Sequence, residues 1–136
     1  APLAVTAPLV QLAIGTLFGQ PLWHWHMGLI LMLYPFWGLV QQFLVVALVA
    51  GNLRRREGFP ERAIVLVTAT LFAAVHAVSI PLAVGALALS LVTIPVYFRD
   101  RNLWALGLFH GWFATGLYFL VLGEDPWRKV VTAGFW

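Results

Sequence analysis

The sequence predicts an all-α protein, a polytopic transmembrane helix bundle of about five helices that forms a single domain over residues 1–136. Of these residues, 62% are hydrophobic and only 10% are charged, whereas ordinary soluble domains carry about 25% charged residues. A soluble chain of this length cannot bury so much apolar surface in one core. The apolar residues also fall in helix-length runs without strand-like alternation. These observations exclude a soluble enzyme, a nucleic-acid-binding module and a disordered chain, and the absence of cysteine excludes a disulfide scaffold.

Each predicted helix is an apolar run close to the roughly 20 residues that cross a bilayer. The five runs are residues 3–18, 27–51, 63–80, 82–98 and 103–122. The first run is short and contains Pro8 and Gln11, which suits a helix packed within a bundle better than a signal peptide. Pro81 separates the third run from the fourth, and Pro95 lies near the end of the fourth. The sequence begins without Met, which leaves room for residues or whole helices before Ala1.

The loops predict how the bundle is oriented. Six of the eight basic residues lie in two loops, 52–62 and 99–102, which fall on one side of the membrane if every run spans it. The positive-inside rule places these Arg-rich loops in the cytoplasm of an integral, multi-pass protein, with the bacterial inner or plasma membrane as the expected location. Four tryptophans are expected to anchor the opposite interface: Trp23, Trp25, Trp127 and Trp136. The expected partners are the lipid bilayer and other membrane-protein subunits, and no nucleic acid.

Uncharged polar side chains, and no carboxylates, lie within the predicted spans. All five acidic residues fall in loops or in the tail. Gln41, Gln42, His76 and His110 fall at membrane depth, where polar side chains usually face the bundle interior. Two interpretations are open at this point. The four residues form one functional cluster, or their hydrogen bonds only cross-link helices, each contributing roughly 0.6–2 kcal/mol.

Helical spacing gives two of the helices a distinct inward face. Four residues share one face of the third helix: Thr68, Phe72, His76 and Ser79. Three small residues form a stripe on the fifth helix: Gly107, Gly111 and Thr115. Because small side chains let two backbones approach closely, the stripe predicts tight contact with another helix beside His110.

Three short motifs follow one another along these helices. They are the pair Gln41-Gln42, then Phe72-Ala-Ala-Val-His76, then His110-Gly-Trp-Phe-Ala114. Their order and spacing resemble the CAAX prenyl protease and bacteriocin-processing (CPBP, or Abi) family of intramembrane proteases. That family has Glu-Glu-x-x-x-Arg, then Phe-x-x-x-His, then His-x-x-x-Asn. The resemblance covers about residues 30–122 and implies a membrane-embedded helical fold with these motifs in one site.

The chain departs from the family pattern at the positions to which the family's catalytic chemistry is assigned. Gln41 and Gln42 stand in place of the two glutamates, Val46 in place of the arginine and Ala114 in place of the asparagine. In the family a glutamate activates water, while the histidines and the asparagine hold or polarise the reacting groups. A glutamine has no titratable oxygen to accept that proton and is a poor metal ligand. The resemblance therefore implies a degenerate, proteolytically inactive scaffold or accessory subunit, with no metal site and no zinc.

Two alternatives are open at the level of the sequence. A histidine in an apolar helix is a usual axial ligand of haem iron and can also ligate the magnesium of a chlorophyll-type pigment. His76 and His110 have small neighbours that leave room for such a macrocycle, which predicts a pigment- or haem-associated subunit of a larger complex. The other alternative is an active endopeptidase in which one of these imidazoles serves as the base.

Overall fold

The predicted all-α fold is confirmed. A computed structural model describes residues 2–132, and these residues form six helices and no strand. In chain order the helices are α1 (Pro2–Leu17), α2 (Trp25–Arg54), α3 (Glu61–Val75), α4 (Ile80–Asp100), α5 (Leu103–Leu122) and α6 (Pro126–Thr132). Two helices change to π-helical winding, α2 over Phe43–Ala50 and α5 over Leu117–Leu122. Trp136, one of the predicted interfacial tryptophans, lies outside the described residues.

Three helices, α2, α4 and α5, are long and apolar enough to cross a membrane. The apolar part of α1, Val5–Leu17, is shorter than these three helices. Helix α3 has 15 residues, so its length is about 22 Å, whereas the hydrocarbon core of a bilayer is about 30 Å thick. Large apolar side chains face outward, among them Met32 and Trp104, which are 73% and 74% exposed. Such an exterior indicates insertion into a lipid bilayer. The predicted count of five crossings stays a prediction.

The connection between α3 and α4 differs from the sequence-based expectation. The third apolar run extends to residue 80, but α3 ends at Val75 and α4 begins at Ile80. The Ser79 hydroxyl caps α4 by accepting a hydrogen bond from the Leu82 N–H at 3.4 Å. Pro81 lies in the first turn of α4, where its missing N–H leaves no helical hydrogen bond unmade. Ser79 therefore does not share the predicted face of the third helix with Phe72.

Helices α2 and α5 pack backbone against backbone along the predicted stripe of small residues. A Cβ added at Gly38 would meet the Gly107 carbonyl oxygen at 2.5 Å and the Gly111 nitrogen at 2.9 Å. A Cβ added at Gly107 would lie 2.7 Å from the Leu39 Cα. Glycine is therefore required on both sides of this contact, and the predicted close approach of a second helix is confirmed with α2 as that helix.

The Gly38→Ala variant is expected to be less stable by about 1–3 kcal/mol, because α2 and α5 must separate to admit the methyl group. The matched control is Gly28→Ala in the same helix, where the nearest side-chain atom, of Trp23, lies at an ordinary 3.8 Å. Thermal unfolding in detergent micelles measures both variants. Equal unfolding temperatures for the two variants would show that the glycine contact does not set the helix spacing.

The two Arg-rich loops lie at one end of the bundle. The Arg54 guanidinium donates to the Phe98 carbonyl oxygen at 3.0 Å and forms an ion pair with Glu61 at 3.0 Å. These contacts bring the end of α2, the start of α3 and the end of α4 together, which we call the Arg end. The opposite end, which we call the His end, joins the start of α2 to the segment after α5.

A contact between His26 and Asp125 closes the His end of the bundle. Burial alone would raise the pKa of the Asp125 carboxyl, but hydrogen bonds from His26 and from the backbone N–H groups of Arg128 and Trp127 lower it below its usual value.

Nearer the middle of the bundle, Gln11 of α1 donates from Nε2 to the Phe113 carbonyl oxygen of α5 at 2.8 Å. This bond supports the expectation that the first helix packs within the bundle.

Candidate functional site

A small cavity inside the bundle brings the three sequence motifs together. Its volume is about 70 Å³, and it lies among α2, α4, α5 and the end of α3. The motif residues that line it are Gln41, Phe72, His76, His110 and Ala114. Gln42 reaches the same place through its contact with His110. Helix packing therefore assembles residues that are separated by more than 70 positions in the sequence.

Gln42 is the buried member of the glutamine pair, with only 2% of its surface exposed. Its side-chain Nε2 lies 3.0 Å from Nδ1 of His110. Immediately after Gln42 the helix widens into the π-helical segment Phe43–Ala50, and such segments occur frequently at functional sites. The Gln42 Oε1 atom is buried and has no hydrogen-bond partner among the described residues.

The hydrogen bond from Gln42 determines what the His110 ring can do. With the amide in this orientation its N–H donates, so Nδ1 of His110 accepts and the neutral ring carries its own proton at Nε2. Neither ring nitrogen then has a free lone pair to take a proton from water. In this arrangement His110 is a structural acceptor for Gln42.

His76 is arranged differently from His110. It follows the last residue of α3, and its Nδ1 lies 2.8 Å from the Phe72 carbonyl oxygen. Because a carbonyl only accepts, Nδ1 carries the proton, and the neutral ring keeps its lone pair at Nε2. The Phe72 ring contacts both imidazoles, with ring centroids 4.3 Å from His76 and 5.7 Å from His110. The structure thus brings both histidines into contact with one phenylalanine.

The remaining two motif positions have no polar function in this chain. Ala114 lines the cavity with a methyl group. Val46 is 1% exposed and faces away from the cavity lining, in an apolar cluster drawn from α2, α3 and α4. Its partners in that cluster are Ala50, Ile64, Ala69, Ile94 and Phe98. A charged arginine has no partner there among the described residues.

No carboxylate lines the cavity within the described residues 2–132. The acidic residues lie at the two ends of the bundle or in its loops: Glu57, Glu61, Asp100, Glu124 and Asp125. A general base must accept a proton at a titratable atom within hydrogen-bond reach of its target. The cavity supplies the Gln41 amide, the phenol groups of Tyr34 and Tyr118 and two imidazoles, of which His76 keeps a lone pair at Nε2, but among the described residues it contains no carboxylate base.

The lining residues missing from the sequence-based set include two aromatic residues of α2. Tyr34 and Trp37 of α2 face the cavity together with Gly38 and Gln41. Their spacing at i, i+3, i+4 and i+7 is that of one helical face. This spacing was the signal available in the sequence. It was missed because aromatic residues in membrane proteins are commonly interpreted as anchors at the membrane interface.

Comparison with known proteins matches one family. A family model described as type II CAAX prenyl endopeptidase Rce1-like matches residues 21–116. The matched segment contains every motif position that surrounds the cavity. No match was found among curated proteins or among solved structures.

Proposed function

Because the chain belongs to the Rce1-like family of type II CAAX prenyl endopeptidases, we propose that it is a proteolytically inactive member of that family, acting in the membrane as a scaffold or accessory subunit. The observation that carries this proposal is the pair of amides at the glutamate positions. The Gln42 side-chain N–H donates to His110, and Gln41 lines the cavity. An amide cannot take the proton that a peptide-hydrolysing water must lose.

The rest of the cavity supports the same proposal. Ala114 offers no hydrogen bond to a developing negative charge, and such a donor typically contributes about 2.7–4 kcal/mol to a transition state. The arginine position, Val46, belongs to the apolar core. Three of the family's chemical groups are therefore absent together, while the helix-packing residues Gly38, Gly107 and Gly111 keep the bundle closed. A chain that keeps the packing and lacks the reactive groups suits a binding role.

Peptide hydrolysis tests this proposal. The purified chain in detergent micelles or vesicles is incubated with a prenylated CAAX-type peptide in excess, beside an active member of the family as the positive control. We expect no detectable release of the C-terminal fragment, and we expect that added zinc does not start peptide hydrolysis. Multiple turnovers by the unmodified chain would contradict the proposal.

A second candidate function has one favourable observation. His76 donates from Nδ1 to a backbone carbonyl and keeps Nε2 for a ligand, which is the usual arrangement of a metal-ligating histidine. The cavity of about 70 Å³ is, however, far smaller than the roughly 300–1,000 Å³ of typical ligand pockets. A haem or chlorophyll-type pigment would therefore need a different packing of the helices. A Soret or pigment band in the purified protein would favour this candidate over the bare scaffold.

We also propose that the Arg end faces the cytoplasm of a bacterial inner or plasma membrane, as the distribution of basic residues indicates. Single cysteines at Arg55→Cys and Asp100→Cys are expected to react with an impermeant thiol reagent from the same side of the membrane. A cysteine at Glu124→Cys, at the His end, should react from the opposite side. The chain has no other cysteine, so each label reports one position. Labelling of positions 55 and 100 from different sides would contradict this topology.

A further inference from the structure

Three potential metal ligands meet at the His end of the bundle, outside the motif cavity. They are His24, His26 and Asp125, and each offers one ligand atom such that the three atoms lie within 4.8 Å of one another. His24 and His26 come from the start of α2, whereas Asp125 precedes α6. The carboxylate is 99 positions from His26 in the sequence, so only the folded bundle brings the set together.

Asp125 is held in place by the backbone of α6. Its Oδ1 atom accepts hydrogen bonds from the backbone N–H groups of Trp127 at 3.0 Å and of Arg128 at 3.4 Å. The other oxygen, Oδ2, contacts Nδ1 of His26. A carboxylate with one oxygen fixed by N–H donors presents the other in a defined direction, as the outer hydrogen bonds of metal sites do for their ligands.

The His24 side chain has no hydrogen bond among the described residues that explains its position. Its Nδ1 atom is buried and has no partner among the described residues, although a buried polar atom normally finds one. His24 precedes α2 in an extended conformation, and its side chain does not cap the helix. The ring lies against Phe119 at 6.2 Å and against His26 at 5.5 Å between centroids. A bound cation would satisfy this unpartnered nitrogen.

A cavity of about 360 Å³ borders His24 and Asp125 at this end of the bundle. It provides room for water as a further ligand and a path for an ion from the aqueous side. Arg128 opposes a bound cation, because its Nε lies 3.5 Å from the Asp125 Oδ2. The Arg128 side chain is 70% exposed, so it can turn away from the carboxylate into water.

We propose that His24, His26 and Asp125 bind a divalent cation of the zinc class. Two imidazole nitrogens and one carboxylate oxygen, with water in a fourth position, form one of the common donor sets for zinc. The ion would brace the start of α2 against the segment between α5 and α6. The site shares no residue with the motif cavity and is independent of the proposed lack of proteolysis.

The test uses the full chain in detergent micelles, stripped with a chelator and titrated with Zn²⁺ against a fluorescent zinc indicator. We expect one ion per chain, and Co²⁺ in its place should give the intense visible absorption of a tetrahedral site. The variants His24→Ala, His26→Ala and Asp125→Asn should each weaken binding by at least the roughly 10–100-fold that loss of a ligand-orienting partner costs. Arg128→Gln should strengthen binding, because it removes the competing cation.

Two controls keep the result interpretable. Asp100→Asn makes the same chemical change at the Arg end, on an exposed residue, and should leave zinc binding unchanged. His24→Ala removes no hydrogen bond found among the described residues, so this variant should keep its helical circular dichroism while losing the rise in unfolding temperature that Zn²⁺ gives the unmodified chain. If the unmodified chain binds no zinc, or if folded His24→Ala binds it equally well, the assignment is overturned and His26 and Asp125 form only a hydrogen bond.

Discussion

Restoring both family glutamates in the Gln41→Glu/Gln42→Glu variant is expected not to produce an efficient protease. The new carboxylates would supply a base, whose loss alone typically costs about 10²–10⁴-fold in rate. Ala114 would still provide no hydrogen-bond donor to the cavity, and Val46 would still be an apolar core residue. We expect cleavage of a prenylated peptide to remain at least about 10²-fold slower than that by an active family member.

The single variants Gln41→Glu and Gln42→Glu separate the two positions. Gln42→Glu replaces the amide N–H that His110 accepts, so any gain in activity should be accompanied by a change in the His110 ring, visible by NMR. A further His110→Ala change in the double variant should remove whatever activity appears. If the double variant cleaves as fast as an active family member, then Val46 and Ala114 do not limit the chemistry and our account of the departures is wrong.

The Val46→Arg variant is expected to lose about 3 kcal/mol or more of stability, because it places an unpaired charge within a membrane-buried apolar cluster. Thermal unfolding and the yield of folded protein in detergent measure this loss. Asn52→Arg, at an exposed position of the same helix, should be tolerated. Val46→Ala separates the effect of charge from that of lost volume and should cost less than the arginine.

A stable Val46→Arg protein would show that the bundle has a polar path to this position. The arginine of the family motif could then be restored without refolding the core, and a chemically complete site would be within reach of a few substitutions. The expected instability would instead agree with the place of Val46 in the apolar core.

The fold class was predictable because composition alone decides whether a short chain resides in lipid or in water. The tight α2–α5 contact was predictable from Gly107 and Gly111, since only small residues allow such an approach. The end of α3 was not predictable from hydropathy. The segment 76–79 contains no charged residue that would mark a loop. Ser79 starts a new helix through a capping bond, with Pro81 in the first turn, and the apolar pattern does not reveal this bond.

The cavity was predictable as a set of residues but not as a set of hydrogen bonds. Family resemblance named Gln41, Gln42, His76 and His110, and the packing of α2, α3 and α5 brings them together in this chain. The direction of each hydrogen bond depends on side-chain geometry, which sequence spacing does not determine. The contact between His26 and Asp125 was likewise invisible, because long-range pairs across a bundle carry no periodic signal in the sequence.

Single-turnover cleavage is the most direct test of whether the glutamine pair leaves this family scaffold without a catalytic base. The chain is mixed in excess with a prenylated peptide in vesicles, and mass spectrometry follows the intact peptide and its fragments over a long incubation. Under these conditions even one slow turnover per chain is visible. We predict that the peptide remains intact. Cleavage by the unmodified chain that disappears in His76→Ala or His110→Ala would contradict the account and identify an imidazole as the base.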